Sequence, residues 1–443
     1  MKINRRKFIR NVGLTAAGSI LAPFILPSGR LFAATGTRLV NHVVFVLFAG
    51  GIRNQESVDQ QYLANQGLPT QGNIMNNMLS GAAPTQNIVY APWTPVLSQP
   101  LQTKGSLFKE LRYVDGPTGH YNGHTVAITG NYTTTGLNLY ANPEFPTIFE
   151  YYRKHTDPAK SAINSWWLSE SLGPYPALNY SSHPDYGPMY GANHLNASTV
   201  FYNIGYSYLS QASAYQLDDV NRISNIRSFL NNNFPIQNAG VGGITNEDNE
   251  REQIKQFLKD IIDGNISVEY ATPGGNPNLL TGDLVNVSAA WQVMKTFHPE
   301  LLVLNTTNLD VCHSSFSGYI DNLHHADYGI GWLWDKIQND PVLQDDTIMI
   351  CVPEHGRNED YNAITDQFGL RAYDHTSDDN SRRLFSLIVG PSNIVKQNQV
   401  FGTQSNPVGE STDIVPTIAH ILGFNDLIPA GMLPGNVLTQ AFM

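Results

Sequence analysis

Imidazoles stand beside or near carboxylates at three points of this chain: Asn308-Leu-Asp310-Val-Cys-His313, Pro353-Glu354-His355-Gly-Arg357-Asn358 and Asp374-His375-Thr-Ser377. A fourth segment, His120-Tyr-Asn-Gly-His124, sets two imidazoles four residues apart, just before Thr125-Val-Ala-Ile-Thr-Gly130, where a helix is expected to start. Imidazole nitrogens and carboxylate oxygens are the donors zinc accepts, and with more oxygen the same set suits manganese, iron or calcium. One such pair alone is an ordinary polar contact. Repetition of the pair behind several strands points to a centre for a divalent metal.

The elements that must position these groups are legible as apolar runs. His42-Val-Val-Phe-Val-Leu-Phe48 is continuous and ends in Ala49-Gly50-Gly51, the pattern of a central parallel strand entering a loop. Similar runs occur at Leu301 to Leu304, Thr347 to Val352 and Leu384 to Val389. Between the second and third of the four, Ile320, Leu323, Ala326, Ile330, Leu333 and Ile337 recur at helical spacing within Tyr319 to Gln338. Strand, helix and strand in that order predict an α/β fold with a central, mostly parallel sheet flanked by helices. Ligands of such sheets sit beyond the carboxyl ends of the strands, where the Glu354-His355 pair falls.

Residues from about 135 to 299 differ in character, being rich in Tyr, Asn, Ser, Gly and Pro, with one polar helical segment from Asn246 to Ile262. They are expected to form an inserted cap or loop region, with 35–134 and 300–443 as the core. Residues 1–34 read as an address: Arg5-Arg6-Lys7-Phe8 has the form of a twin-arginine signal, and an apolar stretch and small residues follow it. The expectation is export to the periplasm or beyond, with membrane contact only through an uncleaved signal. With 14% charged residues and a net charge of -11, the chain lacks the clustered basic footprint that nucleic acid requires. Its two cysteines, Cys312 and Cys351, are either bonded or buried thiols.

Taken together, these segments resemble the alkaline phosphatase superfamily, which includes sulfatases, nucleotide pyrophosphatases and cofactor-independent phosphoglycerate mutases. Ser411-Thr-Asp-Ile-Val-Pro-Thr-Ile-Ala-His-Ile-Leu-Gly423 and Leu384-Phe-Ser-Leu-Ile-Val-Gly-Pro391 carry the likeness outside the centre. It covers roughly 40–135 and 300–424, and its nearest form is the twin-arginine-exported members with a P-E-H-G-R segment.

The resemblance implies an alkaline-phosphatase-like core and one metal held by Asp310, His313 and His375. A second metal would take Glu354 and His355. Counting back from Thr129-Gly-Asn-Tyr132 puts His120 in the family's nucleophile position and His124 in its later basic position, so both are candidate catalytic residues. Thr118 and Thr125 are hydroxyl alternatives. Arg357 and Arg53 are candidates to clamp an oxygen of the substrate. The family's first-strand Asp is Gly50 here, and Glu56 is a nearby replacement carboxylate. The expected activity is hydrolysis of small anionic phosphate or sulfate esters. A non-catalytic periplasmic binding protein with a structural metal is the alternative, and transfer to an alcohol is a third reading.

Overall fold

The structure, a computed structural model, describes residues 38–134, 141–156, 161–169, 175–197 and 246–443. The expected signal over 1–34 and residues 198–245 of the expected insertion lie outside the described residues.

In chain order the main elements are β1 (His42–Phe48), β2 (Gly105–Arg112), α1 (His120–Thr129), α2 (Ile148–His155), β3 (Ser165–Ser169), β4 (Asn193–Asn196), α3 (Asp248–Ile262) and α4 (Gly282–Phe297). They continue with β5 (Leu301–Thr306), α5 (Phe316–Gln338), β6 (Thr347–Pro353), β7 (Arg383–Val389), β8 (Gln399–Phe401) and α6 (Ile414–Ile421). The strands form one eight-stranded sheet in the order β4-β3-β5-β1-β6-β7-β2-β8. Every pairing is parallel except those of β7, which runs against both β6 and β2. The fold is therefore α/β with a mostly parallel sheet, as the apolar runs predict.

β1 occupies a central place, hydrogen-bonded to β5 on one side and β6 on the other. Its side chains alternate between two apolar layers, as the pleat requires. Val44, Val46 and Phe48 join the layer that holds Leu284 and Val287 of α4 and Ile320 and Leu323 of α5. Val43, Phe45 and Leu47 join the opposite layer, with Val126 and Ile128 of α1, Ile148 of α2 and Ile418 of α6. Burial on both faces explains why the run is uninterrupted by polar residues.

One finding corrects the expected organisation. Ser165–Ser169 and Asn193–Asn196, placed in inserted loops by composition, are strands that extend the sheet beyond β5. Trp166 and Trp167 face opposite core layers there, so polar composition around them concealed a buried strand. Within the mostly parallel sheet, β7 is the one reversed strand among the described residues. Its beginning therefore lies at the same end of the sheet as the end of β6, and residues preceding it are delivered to the rim where Glu354 and His355 emerge.

Cys312 and Cys351 are both buried and unbonded to each other. No helix among the described residues is long and apolar enough to cross a membrane.

Candidate metal centre

Four segments meet at the carboxyl rim of the central strands. After β5 the backbone turns into a short 3-10 helix, Asn308–His313. That turn is fixed from α4: the buried carboxylate of Asp283 accepts the N–H groups of Thr307 at 2.7 Å and Asn308 at 3.0 Å. Glu354 and His355 follow β6 directly, and His375 lies on the approach to β7. His120 is the first residue of α1, next to the N-cap Gly119.

The orientation of three histidines is set from outside the cluster. His313 Nδ1 lies 2.6 Å from Asp374 Oδ1, His355 Nδ1 is 2.7 Å from the Gly356 carbonyl, and His375 Nδ1 is 2.6 Å from the Thr118 carbonyl. A carbonyl only accepts, so Nδ1 of His355 and His375 carries the proton and Nε2 presents a lone pair. The Asp374 carboxylate imposes the same tautomer on His313, the arrangement by which proteins orient imidazole ligands of metals. Asn362 steadies Asp374 by donating to Oδ1 at 3.0 Å, and it donates also to the His313 carbonyl at 3.0 Å.

Glu354 sits deepest. Its Oε1 accepts from the Gly50 amide at 2.5 Å and lies 2.8 Å from His120 Nδ1 and 3.3 Å from His355 Nε2, while Oε2 is 2.5 Å from His124 Nδ1. Nearer the surface, Asp310 Oδ1 is 3.2 Å from His313 Nε2, 3.3 Å from His120 Nε2 and 2.9 Å from the Arg357 guanidinium. The His355 and His375 rings stack with centroids 4.0 Å apart.

Burial and neighbours set the charges. Burial resists ionisation of Glu354, but His124, His120 and His355 around it hold its carboxyl well below the usual range. Asp310 is depressed likewise, burial being outweighed by hydrogen bonds from His120 and His313. Burial also disfavours a charged His120, yet Glu354 and Asp310 on its two sides push it up to about 10. Burial lowers His375 and His355, and cationic neighbours including Arg357 and His120 lower them further, leaving neutral imidazoles.

Asp310, His313, Glu354, His355 and His375 are thus brought together, and His120 joins them. Their donor atoms form two groups, His120 with Asp310, His313 and His375, and His120 with Glu354 and His355, each spanning no more than 4.8 Å. The mixed N/O donor set suits zinc. Nε2 of His355 is buried without a hydrogen-bond partner, which a coordinated cation would satisfy. The residues present therefore fit a divalent ion.

Other expectations are corrected. His124 is fully buried, with Nδ1 also 2.8 Å from the His120 carbonyl and Nε2 3.0 Å from Asn305 Oδ1, so it supports Glu354 and does not face solvent. Arg357 is fully buried as well; it donates to Tyr373 O at 2.8 Å, to Gly50 O and to Asp310, which makes it a positioning residue for the loop. Arg53 never reaches the cluster: its Cζ lies 3.7 Å over the Tyr373 ring and its Nε 3.5 Å from Glu56, both side chains being buried. Glu56, paired there, belongs to neither donor group of the cluster. Thr118 and Thr125 are buried too, Thr118 serving through its carbonyl. Asn362 and Asn305 were missing from the expected site, and Asp374, noted there as the neighbour of His375, makes its contact with His313 instead. Only Asp374 had a local signal, its adjacency to His375.

No protein-family profile and no curated protein matches the sequence. Among solved structures the fold is similar to that of the alkaline phosphatase PafA, at TM-score 0.46 and 10% identity over 92% of this chain and 100% of that one. It is similar also to a 2-O GAG sulfatase, at TM-score 0.44 and 11% identity over 90% and 73% of the two chains. A third is a protein in the alkaline phosphatase superfamily from Vibrio parahaemolyticus, at TM-score 0.40 and 14% identity over 95% and 76%. The reading of the centre rests on its own side chains.

Proposed function

We propose that this protein is an exported, metal-dependent hydrolase of small anionic esters of phosphoric or sulfuric acid. The observation that carries the reading is the shared tautomer of His313, His355 and His375, whose Nδ1 atoms are all spent outside the cluster while Nε2 turns toward Asp310, Glu354 and His120.

Asp310, His313, His375 and His120 would hold one divalent ion, zinc in preference, and Glu354 with His355 would extend the set. The chemistry such an ion supplies when bound is polarisation of an ester oxygen and activation of water. The chain's own part is positional. Arg357 clamps Asp310, Asp374 orients His313, and His124 braces Glu354. His313 and Asp374, at 36% and 38% side-chain exposure, are where the cluster reaches solvent, and an ester would approach from that side. The twin-arginine-like N-terminus supports export, and the segments 35–134 and 300–443 carry every proposed ligand.

One observation favours a non-catalytic metal protein as the second reading: Arg53 and Arg357, the cations expected to hold an anionic substrate, are both committed to protein partners. Elemental analysis of purified mature protein, followed by an aryl phosphate, phosphodiester and aryl sulfate panel, separates the two. The hydrolase reading expects at least one metal per chain and turnover that disappears in His313→Ala. Bound metal without turnover supports the second reading, and turnover unchanged in His313→Ala overturns the site assignment.

A further inference from the structure

We propose that His120 bridges two metal ions, one on each ring nitrogen. The inference rests on the metal reading above and concerns a single residue within it. His313, His355 and His375 each turn one nitrogen away to an anchor outside the cluster, which limits them to one ion apiece. His120 differs from them, since both of its nitrogens face carboxylates of the cluster. Nε2 is 3.3 Å from Asp310 Oδ1, and Nδ1 is 2.8 Å from Glu354 Oε1 on the opposite side of the ring. The two donor groups share this residue and no other.

The backbone holds the ring in that place. His120 opens α1, and Gly123 one turn on lies against the metal loop so closely that a Cβ there would stand 2.6 Å from the Glu354 carbonyl oxygen. Helix and loop are therefore fixed relative to each other, with His120 between Asp310 and Glu354.

Lying between two carboxylates, the ring carries an N–H on each nitrogen, so occupying both nitrogens breaks both bonds and releases two protons to solvent, one as each ion binds. The resulting imidazolate and the carboxylates of Asp310 and Glu354 carry three negative charges against the four positive charges of two divalent ions. Because a whole ring separates them, the ions stand further apart than the roughly 3.5–4 Å of two-metal hydrolytic sites. The outer ion, near the partly exposed Asp310 and His313, faces solvent. The inner one, beside the buried Glu354 and His355, does not.

The test uses Cu(II) as the probe. Stripped wild-type chain is titrated with Cu(II), bound copper is counted by elemental analysis, and the low-temperature EPR signal is integrated. Two coppers per chain with an integrated signal well below two spins, through exchange across the ring, is the expected result. In His120→Ala the second copper should weaken at least tenfold and any pair that binds should give its full spin count. His375→Ala should keep the inner copper and lose the outer, with an unchanged far-ultraviolet circular dichroism spectrum. Two uncoupled coppers in the wild type, or a single copper per chain, would overturn the bridge and leave the metal reading intact. A chain that takes no copper and no zinc would overturn both.

Discussion

The amide of Gly50 donates to Glu354 Oε1 at 2.5 Å, and a Cβ on Gly50 would lie 2.3 Å from the backbone nitrogen of Asp310. Gly50 offers the cluster a main-chain N–H and no side chain, and the Glu354 carboxylate, arriving directly after β6, reaches across to it.

Gly50→Ala therefore meets both a clash and a backbone at φ +91°, where alanine is strained. The expected cost is about 1–3 kcal/mol by urea unfolding, as for other overpacked sites, together with reduced metal retention. Gly50→Asp should behave no better, since its larger side chain meets the same backbone. Full stability and full metal content in either variant would show that the 309–310 backbone does not press on this turn.

Asp374 touches His313 through Nδ1, on the side away from the cluster. Asp374→Ala should weaken zinc roughly 10–100-fold, the usual effect of losing the group that orients a ligand. Competition against a chelator measures this. An unchanged affinity would mean that His313 is not a ligand.

Metal binding to the folded chain alone must raise its stability. At a free zinc concentration a hundredfold above Kd the increment is roughly 2.7 kcal/mol, visible as a rise in Tm on adding zinc to stripped protein. In His313→Ala most of that rise should vanish. An equal rise in both proteins would place the zinc elsewhere.

Away from the centre, burial lowers His324 and His194 to about 4. His324 Nδ1 donates to Ile74 O at 2.9 Å, and its ring stacks 4.1 Å from Trp93. Both imidazoles ionise at about 6.5 once unfolded, so the unfolded chain binds more protons between these values. Their contribution is complete above about 6.5 and is lost as the pH falls toward about 4. Urea midpoints should drop across that window, and the slope should flatten in His324→Phe and further with His194→Gln. A slope untouched by both substitutions would assign the acid sensitivity to other groups.

The strands β1, β5, β6 and β7 and the helix α5 could be read directly because they are buried and nearly unbroken in apolar pattern, whereas the order of strands across the sheet had no local signal. β3 escaped notice because its five residues include two Trp and two Ser, and its register with β5 is a long-range fact. At the centre, residue type and strand-end position picked out five residues that the fold brings together, Asp310, His313, Glu354, His355 and His375. Sequence carried no sign of which arginines face inward: Arg53 and Arg357 both follow strand ends, yet Tyr373 and Asp310 claim them. Nor does spacing tell a nucleophile slot from a ligand, and the place of His120 between Asp310 and Glu354 is set by the fold alone.

The reversed strand β7 makes Glu354, His355, Asp374 and His375 parts of one excursion that leaves on β6 and returns on its immediate neighbour. Each end of that excursion is sewn into the sheet independently of its middle. A protease cutting at the outer bend, where Phe368 is 54% exposed, would sever the chain without freeing either half. In the nicked molecule the pairing of β7 with β6 and β2 would hold the two fragments together, and a bound ion, with His375 on one fragment and Glu354 and His355 on the other, would add a second hold that chelation removes.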